Sequence, residues 1–329
     1  MSSTTLFSAV EMAPRDPILG LNEQYNADPN PAKVNLGVGV YFDDQGKLPL
    51  LQCVRAAEQA MMEKPAPRGY LPIDGIAAYD NGVKSLVFGA DSDVVQSGRV
   101  ATVQAIGGTG ALRIGADFLK KVSPNARVLI SDPSWENHRA LFTQAGFTVG
   151  TYRYYDAANR GINFAGFLAD LQAAPAETIV VLHACCHNPT GYDITPAQWD
   201  EVVQVVKSRK LTAFLDMAYQ GFGHGIAEDG AVVGKFVAAG VNFFVSTSFS
   251  KSFSLYGERV GALSVVCQSK EEAGRVLSQL KIAIRTNYSN RPTHGAAVVA
   301  AVFNPPALRQ QWEQELGAMR VRITPMRPA

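Results

Sequence analysis

Along most of the chain, short runs of β-branched and aromatic residues alternate with longer stretches of helical periodicity, the pattern of a sheet wound with crossover helices. Arg127–Ile130, Thr178–Leu182, Leu211–Leu215, Asn242–Val245 and Gly261–Val266 read as strands. Polar segments follow most of them at once: Ser131–His138, His183–Gly191, Asp216–Gly221 and the run from Ser248 to Arg259. Ligands of parallel sheets bind beyond the carboxyl ends of the strands. Loops rich in reactive side chains at those ends therefore predict one shared site in an α/β fold.

The two ends of the chain read differently from its middle. Up to about Lys47 it carries Pro14, Pro17, Pro29 and Pro31 and reads as an arm, residues 1–14, followed by a small-domain segment, residues 15–47. Residues 48–318 form the expected large domain, and 319–329 the start of a further small-domain segment. Pro306–Arg320 has helical periodicity, but the tail Ile323–Ala329 offers no partner for its apolar face, so that face is expected to lack cover.

Composition narrows the function classes. A chain of 329 residues with 47% hydrophobic content can bury a large core, enough for a large domain and a smaller lobe. A net charge of +1 gives no reason to invoke nucleic acid or an anionic membrane. No apolar stretch approaches a membrane span, and Met1–Leu6 lacks the basic and apolar parts of a signal peptide, so a cytoplasmic protein is expected. Cys53, Cys185, Cys186 and Cys267 have no zinc-ligand spacing, the adjacent pair is poorly placed for an ordinary disulfide, and no metal is expected.

Lys251 lies between the apolar runs Val241–Val245 and Ala262–Val266, in a loop of serines and aromatics. Partial burial lowers the pKa of such an amine and frees it to form a Schiff base with a carbonyl cofactor. Gly107-Gly108-Thr109-Gly110 opens a helical stretch, where glycines let backbone N–H groups approach a phosphate. A plain glycine-rich helix start fits the same residues. Arg259 offers a charge-assisted fork to that anion or is an ordinary surface arginine. Asp216 ends an apolar strand, where a carboxylate is costly unless it meets a cation or several donors. A protonated pyridine nitrogen would satisfy it. Amine, phosphate cup and buried carboxylate together describe pyridoxal 5'-phosphate (PLP).

Longer motifs surround these residues: Val34–Tyr41, Gly107–Ala111, Cys185–Gly191, Asp216–Phe222 and Lys251–Arg259. In them, from Asp16 to about Arg320, the chain resembles the aspartate and aromatic amino-acid aminotransferases, class I of the fold-type-I PLP enzymes, and most of all their bacterial aromatic branch. The resemblance implies a mostly parallel, seven-stranded-type sheet wound with helices, plus an incomplete small domain. It implies a homodimer with shared active sites that moves an amino group between aspartate, tyrosine or phenylalanine and 2-oxoglutarate by a ping-pong mechanism.

The resemblance also assigns roles. Lys251 would be the covalent anchor and the base at the substrate Cα. Asp216 would keep the pyridine nitrogen protonated, with His138 orienting that carboxylate. Tyr219 and Asn188 would bond the cofactor's phenolic oxygen, and Trp135 would stack on its ring. Gly108, Thr109, Ser248 and Arg259 would hold the phosphate, joined by Tyr70 of a neighbouring subunit. Gly39, Trp135, Asn188 and Arg285 would meet the substrate, Arg285 taking a distal carboxylate across the dimer. Singly, His138 also fits a satisfied core histidine, Trp135 a packing residue and Tyr219 a buried phenol. His183, His187, His224 and His294 fall at no functional position of the family and are expected to be structural.

Two departures from the family pattern stand out. Arg291 replaces a proline and is expected to put a cation close to the substrate entrance. No residue matches the arginine that grips the substrate α-carboxylate, which relatives carry beyond this point. The alternative expectation is therefore a truncated homologue that binds PLP or dimerises without significant turnover.

Overall fold

The computed structural model describes residues 5–16, 19–35, 37 and 39–326. Pro17, Ile18, Leu36 and Val38 of the family motifs, and Arg327–Ala329 of the tail, lie outside the described residues. The chain forms two compact units, Met1–Pro49 and Leu50–Ala329. In the first, Lys33 Nζ donates to the carbonyls of Tyr25 at 2.5 Å and Asp28 at 2.7 Å, placing a cation at the carboxyl end of the helix Leu19–Ala27.

The second unit is built on a seven-stranded sheet. In chain order its strands are β1 (Val100–Ile106), β2 (Val128–Asp132) and β3 (Val149–Arg153), then, after the two-residue strands β4 (Tyr155–Asp156) and β5 (Gly161–Ile162) of a separate hairpin, β6 (Ile179–His183), β7 (Thr212–Met217), β8 (Phe243–Ser248) and β9 (Val260–Val266). The order across the sheet is β1-β9-β8-β7-β6-β2-β3. Pairs from β8 through β7, β6 and β2 to β3 are parallel, whereas β9 is antiparallel to both of its neighbours. The reason lies in the connections. The parallel strands are joined by crossover helices such as Pro196–Ser208 and Ile226–Ala239, but β8 and β9 are joined only by the Lys251 loop and the 3-10 turn Tyr256–Glu258. A connection of roughly a dozen residues or fewer without a helix turns the chain back on itself. The mostly parallel α/β sheet expected from the hydrophobic pattern is thus the fold found.

Strands β1 and β3 escaped the pattern for different reasons. Thr102 and Gln104 interrupt the apolar run of β1, yet both are buried. The Thr102 hydroxyl pairs with Ser264 Oγ at 2.8 Å, and Gln104 accepts from Ile76 N–H and donates to Pro292 O. Strand β3 is an edge and is buried fully only at Tyr152.

The helix Pro306–Ile323 corrects one expectation: its apolar face is covered, by the same unit rather than by the tail. Trp312, Leu316 and Met319 are buried, at the i, i+4, i+7 spacing of one face. Trp312 stacks on Phe253 with ring centroids 4.7 Å apart and meets Phe303 edge-on at 5.6 Å. At the border of the same face, Glu315 accepts from the N–H groups of Gln52 and Cys53, capping the helix Gln52–Glu63, whose own N-cap, Leu51, has no side-chain acceptor.

Arg291 is a second correction. Its side chain is buried rather than exposed as a cation: Nη1 donates to Ile73 O, the guanidinium lies 5.8 Å from the Tyr288 ring, and Nε and Nη2 have no hydrogen-bond partner.

Candidate active site

Strand register brings the predicted loops to one sheet edge. Ile106 is paired with Val260, Ser248 with Gly261, Asp216 with Ser246 and His183 with Asp216. The segments beginning at Gly107, Phe249, Ala218 and Ala184 therefore leave the sheet side by side.

Asp216 is almost completely buried at the end of β7, and Oδ2 bonds His138 Nε2 at 2.9 Å. A carboxylate only accepts, so Nε2 carries the proton. His138 Nδ1 is then the acceptor for the Ser134 hydroxyl, 2.9 Å away. Two hydrogen bonds thus fix the ring, and Trp135 packs edge-on against it at 5.2 Å.

Lys251 is half-buried, with Nζ 4.8 Å from the centre of the Tyr219 ring. Burial holds its amine below the ordinary lysine value, Asp216 pulls it back up and Arg259 pushes it down further. Burial and the Asp216 charge push the Tyr219 hydroxyl up to about 12, against a hydrogen bond from Asn188. Tyr219 is therefore a neutral O–H donor at physiological pH.

The helix Gly107–Val122 begins where β1 ends. Gly107 has φ +65°, and a Cβ there would lie 2.4 Å from Arg259 Nη2. Gly261 is equally constrained, since its Cβ would meet the Gly107 carbonyl carbon at 2.4 Å. These glycines let the Arg259 guanidinium lie against the helix N-terminus. Gly107 N–H donates to Arg259 O at 3.0 Å, and Arg259 Nη1 donates to Tyr256 O at 2.9 Å. Ser248 is buried beside Gly108, whose carbonyl accepts from Ser246 Oγ at 3.2 Å, and Thr109 follows in the first helical turn. A cation, a helix N-terminus and hydroxyls make a cradle for a dianionic group.

Three predicted residues remain: Tyr70, Arg285 and Gly39. Tyr70 is 95% exposed. Arg285 is exposed in the last turn of the helix Lys270–Asn287 and bonds Ser289 Oγ. Gly39 belongs to the first unit, is exposed, and has open space where a Cβ would be.

Of the histidines expected to be structural, His187 is satisfied by Ser131 and Thr190 at 2.8 Å each and stacks on Tyr154, and burial holds it down to about 4. His183 differs. It sits between His138 and His187, ring centroids 5.0 and 4.3 Å away, and neither nitrogen has a hydrogen-bond partner. Burial and the two neighbouring rings hold its pKa far down, so it is neutral. The available sequence signal was its place at the end of a strand, directly before the Ala184–Gly191 loop. A ligand atom from each of His138, His183 and Asp216 lies within 4.8 Å of the other two, but both His138 nitrogens are already committed.

Comparison with known proteins decides the family. The family described as aminotransferase class I and II matches residues 31–328. This chain belongs to it. The aminotransferase is 65% identical over 325 residues to an aspartate aminotransferase of Pseudomonas aeruginosa, covering 99% of this chain and 82% of that one. It is 50% identical over 323 residues to the aromatic-amino-acid aminotransferase of Escherichia coli, covering 98% and 81%. A crystal structure of the aromatic-amino-acid aminotransferase from Burkholderia pseudomallei, covalently bound to pyridoxal phosphate, superposes with a TM-score of 0.96 at 66% identity, covering 98% of this chain and 81% of that one. Among the described residues, no helix of the aminotransferase is long and apolar enough to cross a membrane.

Proposed function

We propose that this aminotransferase moves the amino group of aspartate, tyrosine or phenylalanine to 2-oxoglutarate by a ping-pong mechanism, using PLP anchored on Lys251. The observation that carries the reading is one sheet edge holding an amine of lowered pKa, a buried carboxylate backed by histidine, and a glycine-and-arginine cradle. The three match an aldehyde, a pyridine nitrogen and a phosphate, so the residues present fit the cofactor.

When bound, PLP supplies a ring that accepts the electrons left at the substrate Cα. The chain supplies the rest. Arg259, Gly108, Thr109 and Ser248 would hold the phosphate. The Asp216 carboxylate would accept the pyridine N–H, with His138 orienting it. Tyr219 Oη and the Asn188 amide would donate to the phenolic oxygen. Lys251 Nζ, neutral more readily than a surface lysine, takes the proton from the substrate Cα. Trp135 would cover the ring and exclude water. Tyr70, exposed as it is, and Arg285 would complete the site of a second copy in a homodimer, Arg285 binding a distal carboxylate.

The cofactor reading predicts that purified protein incubated with PLP turns yellow, and that Lys251→Ala abolishes the visible band. A colourless wild type would overturn it. Glutamate formed from 2-oxoglutarate with aspartate or tyrosine tests the reaction, and parallel double-reciprocal lines test the ping-pong order.

A further inference from the structure

We infer that the helix Pro306–Ile323 is a strut that sets the position of Lys251 relative to Tyr219, with Trp312 and Arg320 as its positioning residues. The inference rests on the proposed role of Lys251.

The indole N–H of Trp312, a buried side chain, donates at 2.7 Å to the carbonyl of Ser252, the residue directly after Lys251. The same indole stacks on Phe253, which meets Phe249 edge-on at 5.4 Å, so the loop on both sides of Lys251 rests on one aromatic cluster. Two turns along, Arg320 Nη1 donates at 2.8 Å to the carbonyl of Gly221, two residues after Tyr219. Between them Leu316 presses on Gly221 itself. A Cβ at Gly221, whose φ is +97°, would lie 2.4 Å from Leu316 Cδ2.

Thus one helix face grips the two loops that carry Lys251 and Tyr219, at points about 12 Å apart along its axis. A helix is stiff over that length, and it adds a common support to two loops with separate local ties: Ser254 N–H to Lys251 O in one, and in the other Phe222 N–H to Tyr219 O together with the N–H groups of Gly221, Gly223 and His224 on the Asp229 carboxylate. Because Asp216 and Arg259 act on the Lys251 amine in opposite senses, its proton affinity depends on where the loop holds it. Trp312 and Arg320 touch neither substrate nor cofactor in this reading; they act through the backbone.

The test compares Trp312→Phe, which keeps a stacking ring and removes the N–H, with Trp199→Phe, a change in the helix Pro196–Ser208, and with wild type, all loaded with PLP. For Trp312→Phe the pH midpoint of the visible band should move by more than about half a unit. Turnover per bound cofactor should fall about tenfold, with KM within about twofold. Amide exchange of Phe253 and Ser254 should quicken with or without cofactor, and Trp199→Phe should do none of these. A lower melting temperature with the midpoint, turnover and exchange unchanged would overturn the strut. If Trp312→Phe does not fold, Arg320→Met carries the test alone, and an unmoved midpoint there overturns it. A wild type without a visible band overturns the cofactor reading itself, a failure distinct from a band that ignores both substitutions.

Discussion

Asp216 and Asp80 are buried to nearly the same extent, 5% and 7% exposed, yet their surroundings treat them oppositely. Asp216 Oδ2 meets a histidine whose second nitrogen is itself held, so the carboxylate has a fixed donor. Asp80 Oδ1 has no hydrogen-bond partner, and burial pushes its carboxyl up to about 8, although Lys84 and Arg291 pull it down. Burial alone makes a carboxyl neutral. A positioned donor is what allows a buried one to stay charged and useful.

The largest expected effect separates the two directly. Asp216→Asn should lower kcat/KM by roughly 10²- to 10³-fold, as loss of a preorganised charge does, while Asp80→Asn should leave it within about twofold. Equal losses in steady-state assays would erase the distinction. Next, His138→Gln should cost roughly 10- to 100-fold in activity if the histidine serves Asp216 and not merely the core. A drop in melting temperature with full turnover would assign it to packing.

The smallest effect concerns stability against pH. The Asp80 carboxyl ionises near 3.8 when unfolded and near 8 when folded, so the native state holds an extra proton between those values and loses stability as pH rises through them. Asp80→Asn removes that loss, and the difference in melting temperature, variant minus wild type, should grow more positive from pH 4 to pH 8. His183 and His187, held below their ordinary value, give a stability that instead rises with pH and is common to both proteins, so the difference curve isolates Asp80. A flat difference curve would show that Arg291 pairs with Asp80 after all.

Much of this was legible locally. Apolar runs marked β2, β6, β7, β8 and β9 because buried strands exclude charge, and the loops after them announced their chemistry because reactive residues cluster where the backbone leaves the sheet. Strand β1 was not legible, since Thr102 and Gln104 are satisfied by partners distant in sequence, Ser264, Ile76 and Pro292. His183 passed for a core residue because nothing near it in sequence reveals that both its nitrogens lack partners. Arg291, conspicuous as a cation, proved to be an interior group that contacts Ile73 and Tyr288.

By itself, then, the sequence determined the α/β class, the family and the residue types of the candidate site, because those are written in short-range pattern and motif. Only the tertiary structure decided which groups are charged, neutral or unpaired, and that the helix Pro306–Ile323 grips the loops carrying Lys251 and Tyr219. Proton affinity and loop position depend on burial and on contacts such as Trp312 with Ser252, 60 residues apart, and no local pattern records them.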